Sequence, residues 1–363
     1  MLAGLYDLVC SGPAFGGLAQ RIHRLGVPVA QGLLEPYHPV SLAALLLFTL
    51  AVTVVAPFLG GEPIWPGALW RDTDSTIADI FWTLRVPRVA VALLAGAGLA
   101  ISGMAFQAIF RNPLATPFTL GTSSGAALGA SLCIHAGWQF SVLGISATTA
   151  FALAGAVLSI LLVYGLTRMK TGFSTASMLL AGVAVSFFFS SLILLLQYLS
   201  DFTQTFRMIR WVMGGLDRVV GYDDLLSILP FVGTAALIVF YQTRELNLLT
   251  TGEELAAGRG VNVDRTKMAI FFAASMAVSG VVAVCGPIGF VGLMAPHICR
   301  LLVGADHRIL APAVLLFGGG FLIACDTVAR TVIAPVELPV GIITALLGGP
   351  FFLWLLLTNR RLA

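Results

Sequence analysis

Residues 88–109 read RVAVALLAGAGLAISGMAFQAI, an apolar run with one cation at its start and one amide near its end. A helix needs about 20 mostly apolar residues to cross a hydrocarbon core of about 30 Å, and this stretch reaches that length without alternating in polarity. Its Gly96-x-Gly98 pair lies inside the run rather than between a strand and a helix, which rules out a dinucleotide-binding loop. Small residues at this density, continued by Ser102-Gly103 and again from Gly121 to Gly129, let backbones approach closely. Ordinary helix packing accounts for most of these glycines.

Working outward, comparable runs cover roughly 41–59, 88–109, 121–136, 142–166, 174–198, 225–242, 266–286, 290–303, 309–327 and 339–357. The third and eighth are short and need tilting or shielding by neighbours. Continuous runs argue against an outer-membrane barrel, whose strands alternate. The chain is 58% hydrophobic and 10% charged, against about 25% charged in soluble domains. The predicted fold is therefore all-α, a polytopic membrane protein of about ten transmembrane helices forming a single domain over 41–361. Residues 1–40 lack a basic start followed by a compact apolar core, so they do not resemble a cleaved signal peptide. An amphipathic cytoplasmic segment near the membrane surface is expected there.

Placing the N-terminus inside puts Arg21, Arg24, Arg111, Arg168, Lys170, Arg244, Arg259, Arg265, Lys267, Arg300, Arg308, Arg360 and Arg361 on the cytoplasmic side. Arg71, Arg85, Arg88, Arg207, Arg210, Arg218 and Arg330 then lie outside, a split of 13 to 7 among 20 cations. The positive-inside rule favours this orientation, with both termini cytoplasmic. Two sets of five spans would have opposite orientations, as in inverted-repeat transporters, although no sequence repeat accompanies that geometry.

Four polar stretches interrupt the apolar pattern. Leu84-Arg85-Val86-Pro87-Arg88 stands at the outer mouth of the second span. Its arginines either snorkel to headgroups or present fixed charge to an acidic partner protein, and charge alone leaves both readings open. Between spans two and three, Phe110-Arg111-Asn112-Pro113-Leu114-Ala115-Thr116-Pro117 has two prolines that stop helix around a short loop. It is either a plain cytoplasmic turn or a constriction narrowed by Asn112 and Leu114.

Residues 247–261, NLLTTGEELAAGRGV, hold a helix-forming run from Glu253 to Ala257 bracketed by glycines. Gly252 can supply a start, and Gly258 or Gly260 a left-handed stop. Two short helices in a cytoplasmic loop exceed what a connector needs, and such an element can pass motion to a soluble subunit. Residues 286–297, GPIGFVGLMAPH, break the helix at or near membrane depth, where non-helical backbone must be buried in protein or line a cavity. His297 has no companion histidine, so packing or a polar contact is favoured over ligation.

Absences narrow the class further. Cys10, Cys133, Cys285, Cys299 and Cys325 are scattered and the five histidines dispersed, so no disulfide framework, metal site or cofactor is expected. The net charge of +3 says little about partners, and no nucleic-acid partner is expected. No GxxxxGK[ST] motif occurs, since neither Lys170 nor Lys267 follows a glycine; the chain cannot cradle ATP phosphates in a P-loop. Apart from Asp326 near an outer end, carboxylates are almost missing from the spans, whereas proton-coupled carriers keep ionisable groups at mid-membrane. Uphill transport would then draw on separate ATPase subunits.

Eight segments in order resemble the permease subunits of bacterial iron-siderophore, haem and cobalamin ABC importers, the FecCD family of type II importers. They are LRVPR (84–88), SGMAFQAIFRNPLATPFTLG (102–121), LLAGVAVS (179–186), WVMGG (211–215), residues 247–261 quoted above, GPIGFVGLMAPHICR (286–300), DHR (306–308) and ELPVGIITALLGGPFFLWLL (337–356). The resemblance covers roughly 41–361 and says nothing of the first 40 residues. It implies a dimer, expected to be a homodimer, enclosing a central pathway, with two cytoplasmic ATPases and a periplasmic binding protein. Arg85, Arg88 and Arg330 would receive acidic residues of that protein, contributing register more than affinity. Residues 252–260, among them Gly252, Glu253, Glu254, Ala256 and Gly260, would form coupling helices on the ATPase. Asn112 and Leu114, with Ser174 and Thr175, match inner-gate positions, and Trp211 to Gly215 a short outer helix. An iron(III) chelate is the first choice of cargo because it is the commonest in that family, with haem or cobalamin as alternatives. A stand-alone secondary carrier and an intramembrane enzyme are the competing classes; buried charges are scarce for the first, and no nucleophile–base pair or metal set appears for the second.

Overall fold

The computed structural model describes residues 38–67, 76–142, 144–170, 175–219 and 221–358. Its helices are α1 (His38–Val55), α2 (Thr76–Ile80), α3 (Val86–Phe110), α4 (Thr122–His135), α5 (Ala147–Lys170), α6 (Thr175–Leu199) and α7 (Phe202–Val212). They continue with α8 (Asp223–Tyr241), α9 (Thr243–Thr251), α10 (Glu253–Gly258), α11 (Val263–Cys285), α12 (Val291–Val303), α13 (His307–Thr331) and α14 (Val340–Thr358). Each of the ten predicted spans corresponds to one helix. Among the described residues seven helical stretches are long and apolar enough to cross a membrane. The shortness expected of the third and eighth spans recurs in α4 and α12, of 14 and 13 residues. Neighbours shield both: α4 packs on α5 and α6, and α12 on α3 and α13.

Two boundaries differ from the pattern. The second span starts earlier, because α2 runs through a π-helical turn (Phe81–Arg85) directly into α3. Pro87 does not break it: it stands directly after the π turn, in which the Val86 N–H reaches back to the Phe81 carbonyl. The fourth starts later, at Ala147, because Ser141–Val142 and Ile145–Ser146 form a small antiparallel hairpin with Ser141 opposite Ser146.

α3 is the central helix, surrounded by α8, α11, α12 and α13. α3 and α11 are buried over most of their length, whereas α1, α5, α6 and α8 leave most of theirs uncovered. In lipid, apolar surface gains little by leaving its solvent, so close packing has to hold helices together. Gly103 on α3 shows how: a Cβ there would collide with the Gly292 carbonyl of α12. One turn on, the buried Gln107 amide donates to that same carbonyl at 3.3 Å and accepts from Arg300 Nη1 at 2.6 Å.

Chain direction alternates through the bundle. Thr49 of α1 bonds Leu316 of α13 at 2.8 Å, and Ala56 just beyond α1 meets Arg330 near the end of α13. Residues 38 and 358 consequently lie at the same end, the one that also carries α9 and α10. The opposite end carries Arg85, Arg88 and Arg330.

Candidate functional site at the two ends of the bundle

At the arginine end, Arg88 begins α3 and Asp326 and Arg330 stand one turn apart near the end of α13. Arg88 Nη2 meets Asp326 Oδ1 at 2.9 Å, its Nε meets Oδ2 at 3.1 Å, and its Nη1 meets Glu337 Oε2 at 2.7 Å. This bidentate fork matches carboxylate geometry. Arg330 Nε lies 3.1 Å from Asp326 Oδ2, an ion pair without hydrogen-bond alignment. Its terminal nitrogens donate to the Leu59 and Ala56 carbonyls at 3.1 and 3.3 Å. Arg85, in the π turn, donates to the Pro57 and Glu62 carbonyls at 3.2 and 2.6 Å.

The structure thus brings Arg85, Arg88 and Arg330 to one corner of the bundle: Arg88 and Arg330 meet on Asp326, whose side chain is 1% exposed, while Arg85 is held by backbone carbonyls. Three segments remote in sequence are tied there: the 56–62 turn, the start of α3 and the end of α13. Arg330 is itself 3% exposed, and Arg88 is 12%. The sequence suggested surface cations, but both guanidiniums largely face inward, because Asp326 and the carbonyls at the end of α1 need donors that water does not supply there.

A cavity of about 670 Å³ lies between α4, α7 and the start of α8, with Trp138, Arg207, Arg210 and Asp217 in its lining. Arg210 pairs with Asp217 at 2.8 Å, and the Arg218 guanidinium sits 5.7 Å above the Trp211 ring. Burial lowers the Arg218 pKa, against the pull of Asp217. The WVMGG segment is held by Gly215 N–H donating to the Cys285 carbonyl at 2.8 Å and Gly341 N–H donating to that of Gly214 at 3.1 Å. The break at 286–290, between α11 and α12, is thereby packed against protein, with Gly286 and Ile288 buried and its other residues half-buried.

At the opposite end, residues 247–261 form α9 and α10 as two short helices joined at Gly252, whose φ of 133° no other residue adopts easily. α10 runs one residue beyond the expected Ala257, and Gly260 follows at φ 86°. Two polar clasps hold the pair. Glu253 reaches Lys267 of α11 at 2.6 Å, where the lysine side chain is 2% exposed. Asn247 Nδ2 donates to Asp306 Oδ1 at 2.6 Å, and its Oδ1 accepts from the His307 backbone N–H at 2.9 Å and faces His307 Nδ1 at 2.6 Å. Because a carboxylate only accepts, this fixes the Asn247 amide, so Nδ1 carries the His307 proton. Nε2 is left bare and buried without a partner.

Asp306 also caps α13 through the Arg308 N–H at 2.9 Å. Partial burial opposes its ionisation, but the Arg308 N–H, the Asn247 amide and the charge of Arg308 outweigh it and hold the carboxyl below its usual range. Ala256 is buried under α10, while Glu254 and Leu255 are uncovered, Leu255 at 61%.

The remaining predicted residues are spread more loosely. Asn112 Oδ1 accepts from the Leu114 N–H at 2.9 Å, closing the turn after α3, with Leu114 56% exposed. Ser174 lies outside the described residues, as do residues 1–37; Thr175 is the first residue of α6. His297 packs edge-on to Phe351, ring centroids 5.8 Å apart. Among the described residues no three His, Cys, Asp or Glu gather as a metal set. Asn247, Glu337 and Lys267 were not singled out by sequence reasoning. The adjacent DHR segment, with a capping Asp before a long apolar run, was the available signal for the first.

The FecCD transport family model matches residues 44–358. The haemin transport permease HmuU of Yersinia pestis is 37% identical over 88% of this chain and 96% of its own. The cobalamin import permease BtuC of Halobacterium salinarum is 41% identical over 86% and 84%, and the molybdate import permease MolB of Haemophilus influenzae 33% identical over 87% and 94%. A solved metal-chelate type ABC transporter in an inward-facing conformation superposes with a TM-score of 0.77 at 32% identity, covering 89% of this chain and 100% of that one. With its helical bundle, its short helices α9 and α10 and this breadth of matching, the chain belongs to the FecCD transport family of ABC-transporter permeases.

Proposed function

We propose that this chain is the translocation subunit of an ATP-driven importer that carries an iron(III) chelate across the bacterial inner membrane. A second copy completes the pathway, two ATPase subunits bind α9 and α10, and a periplasmic protein delivers cargo to the arginine end. Both termini lie on the cytoplasmic side. The observation that carries the reading is the two-ended polarity of the bundle: arginines at one end, and at the other a two-helix element bolted on by Glu253 and Asn247. An element with an uncovered Leu255 over a buried Ala256 suits docking to a soluble partner. α6 leaves Leu180, Phe187, Leu194 and Tyr198 uncovered, and α14 Leu346 and Leu353, which supports a second copy or lipid against those faces.

In this reading ATP binding draws the ATPases together, α9 and α10 follow, and the pathway alternates its opening. Gly252 and Gly260 set the bends of that element, Glu253 fixes it, Glu254 faces the partner and Ala256 seats it. Asn112, Leu114, Ser174 and Thr175 border the inner opening. Arg88, backed by Arg85 and Arg330, receives acidic residues of the binding protein. ATP is hydrolysed on the separate subunits, not on this chain.

Haem or cobalamin is the second reading of the cargo, favoured by the relatives named for them. Uptake of labelled ferric siderophore, haem and cobalamin into proteoliposomes holding the complete assembly distinguishes the cargoes. ATP-dependent accumulation of the ferric chelate is expected, and vesicles with this chain alone should stay inert. Uphill accumulation by the isolated chain would overturn the reading in favour of a secondary carrier.

A further inference from the structure

The arginine cluster is already occupied by the chain's own acceptors. Asp326, 1% exposed, is enclosed by Arg88 and Arg330 and cannot be reached from outside. Arg330 is committed to Asp326 and to the Ala56 and Leu59 carbonyls, and Arg85 to the Pro57 and Glu62 carbonyls. The remaining Arg88 nitrogen, Nη1, is covered by Glu337, whose side chain is 38% exposed. Glu337 sits on the segment after α13, held over Arg88 by its neighbour Leu338, whose N–H donates to the Ala329 carbonyl at 3.0 Å. The cluster therefore has an inner carboxylate that is fixed and an outer one that is exposed and monodentate.

We propose that Glu337 is an internal competitor: it holds the face of Arg88 that an acidic side chain of the docking protein takes, and swings out when that protein binds. This rests on the reading of the arginine end as the binding-protein dock. The exchange replaces one carboxylate by another, so Arg88 is never left without a counter-charge, and the pair being broken is of the exposed, individually weak kind. A dock with its own competitor binds its partner less tightly and releases it faster than bare arginines would. That suits a delivery protein that must leave after each cycle.

Two measurements test this, one of them without any partner. Phenylglyoxal labelling of the chain in nanodiscs, read peptide by peptide, should rise several-fold at Arg88 in Glu337→Gln and stay low at Arg330. Unchanged Arg88 labelling would refute the cover. Binding of the transport system's own periplasmic protein to the full assembly should tighten about two- to fivefold in Glu337→Gln, the range of an exposed ion pair, chiefly through slower dissociation. Equal or weaker binding overturns the competition even if labelling rises. Arg88→Lys keeps a cation against Asp326 while losing the fork, and should weaken binding. If Arg88→Lys leaves affinity unchanged, the docking reading itself falls, whatever Glu337 does.

Discussion

At the arginine end two guanidiniums close on a single carboxylate, Asp326, that solvent does not reach; at the other end Lys267 pairs with Glu253, and Asn247 bonds Asp306 and His307, across the edge of a small, mostly uncovered element. The first arrangement joins segments up to 274 residues apart. The second joins α10 to α11 and α9 to the start of α13, and can be undone piece by piece. Charge shared by several helices makes a fixed structure, whereas charge shared pairwise makes a joint. That difference ranks what substitutions should do.

The largest effect is expected for Asp326→Ala. Removing one member of a buried ionic set strands the others, at a cost of about 3–5 kcal/mol. Detergent-purified Asp326→Ala should lose most of its folded, monodisperse fraction on size exclusion. A variant as stable as the parent would show the cluster to be dispensable and erase the contrast. Glu253→Ala should be milder, about 1–3 kcal/mol at most, because Glu253 is itself 41% exposed. Amide exchange should rise over 253–258 and leave α13 unchanged. Spread of the effect into the bundle would show that this end is not built as a joint.

Asn247→Ala removes bonds to Asp306 and His307 and is expected to cost about 1 kcal/mol. Its signature is loss of ATPase stimulation by loaded binding protein while the ATPase still co-purifies. The smallest effect concerns pH. Asp306 has a lowered folded pKa, so the stability it contributes is complete above the ordinary carboxylate value of about 3.9 and is lost only as pH falls through the lower folded one. Protection of α9 should be flat from pH 7 to 5 and decline below about 4. Asp306→Asn should abolish that decline.

The bundle itself was legible because lipid leaves the backbone so few solutions: a 20-residue apolar run must be helical, and all ten runs are. The pair α9 and α10 was equally readable, since Gly252 and Gly260 take positive φ and mark their helices locally. What escaped was pairing at a distance. Nothing local in LRVPR tells whether Arg88 faces water or Asp326, which lies 238 positions away, and a single acid near a helix end looks dispensable until the helix it meets is known. Lys267 was hidden for the opposite reason: one cation at a helix start is ordinary, and only the turn of α10 brings Glu253 over it.

α13 runs without interruption from His307 to Thr331, so at about 1.5 Å per residue it is a strut of about 37 Å. Its first residue is gripped by Asn247, and Asp326, five residues before its end, by Arg88. A strut of that length, pivoting by about 5° at one grip, carries the other about 3 Å sideways. The same piece of chain is therefore clasped at both ends of the bundle, by an amide at one and a guanidinium at the other.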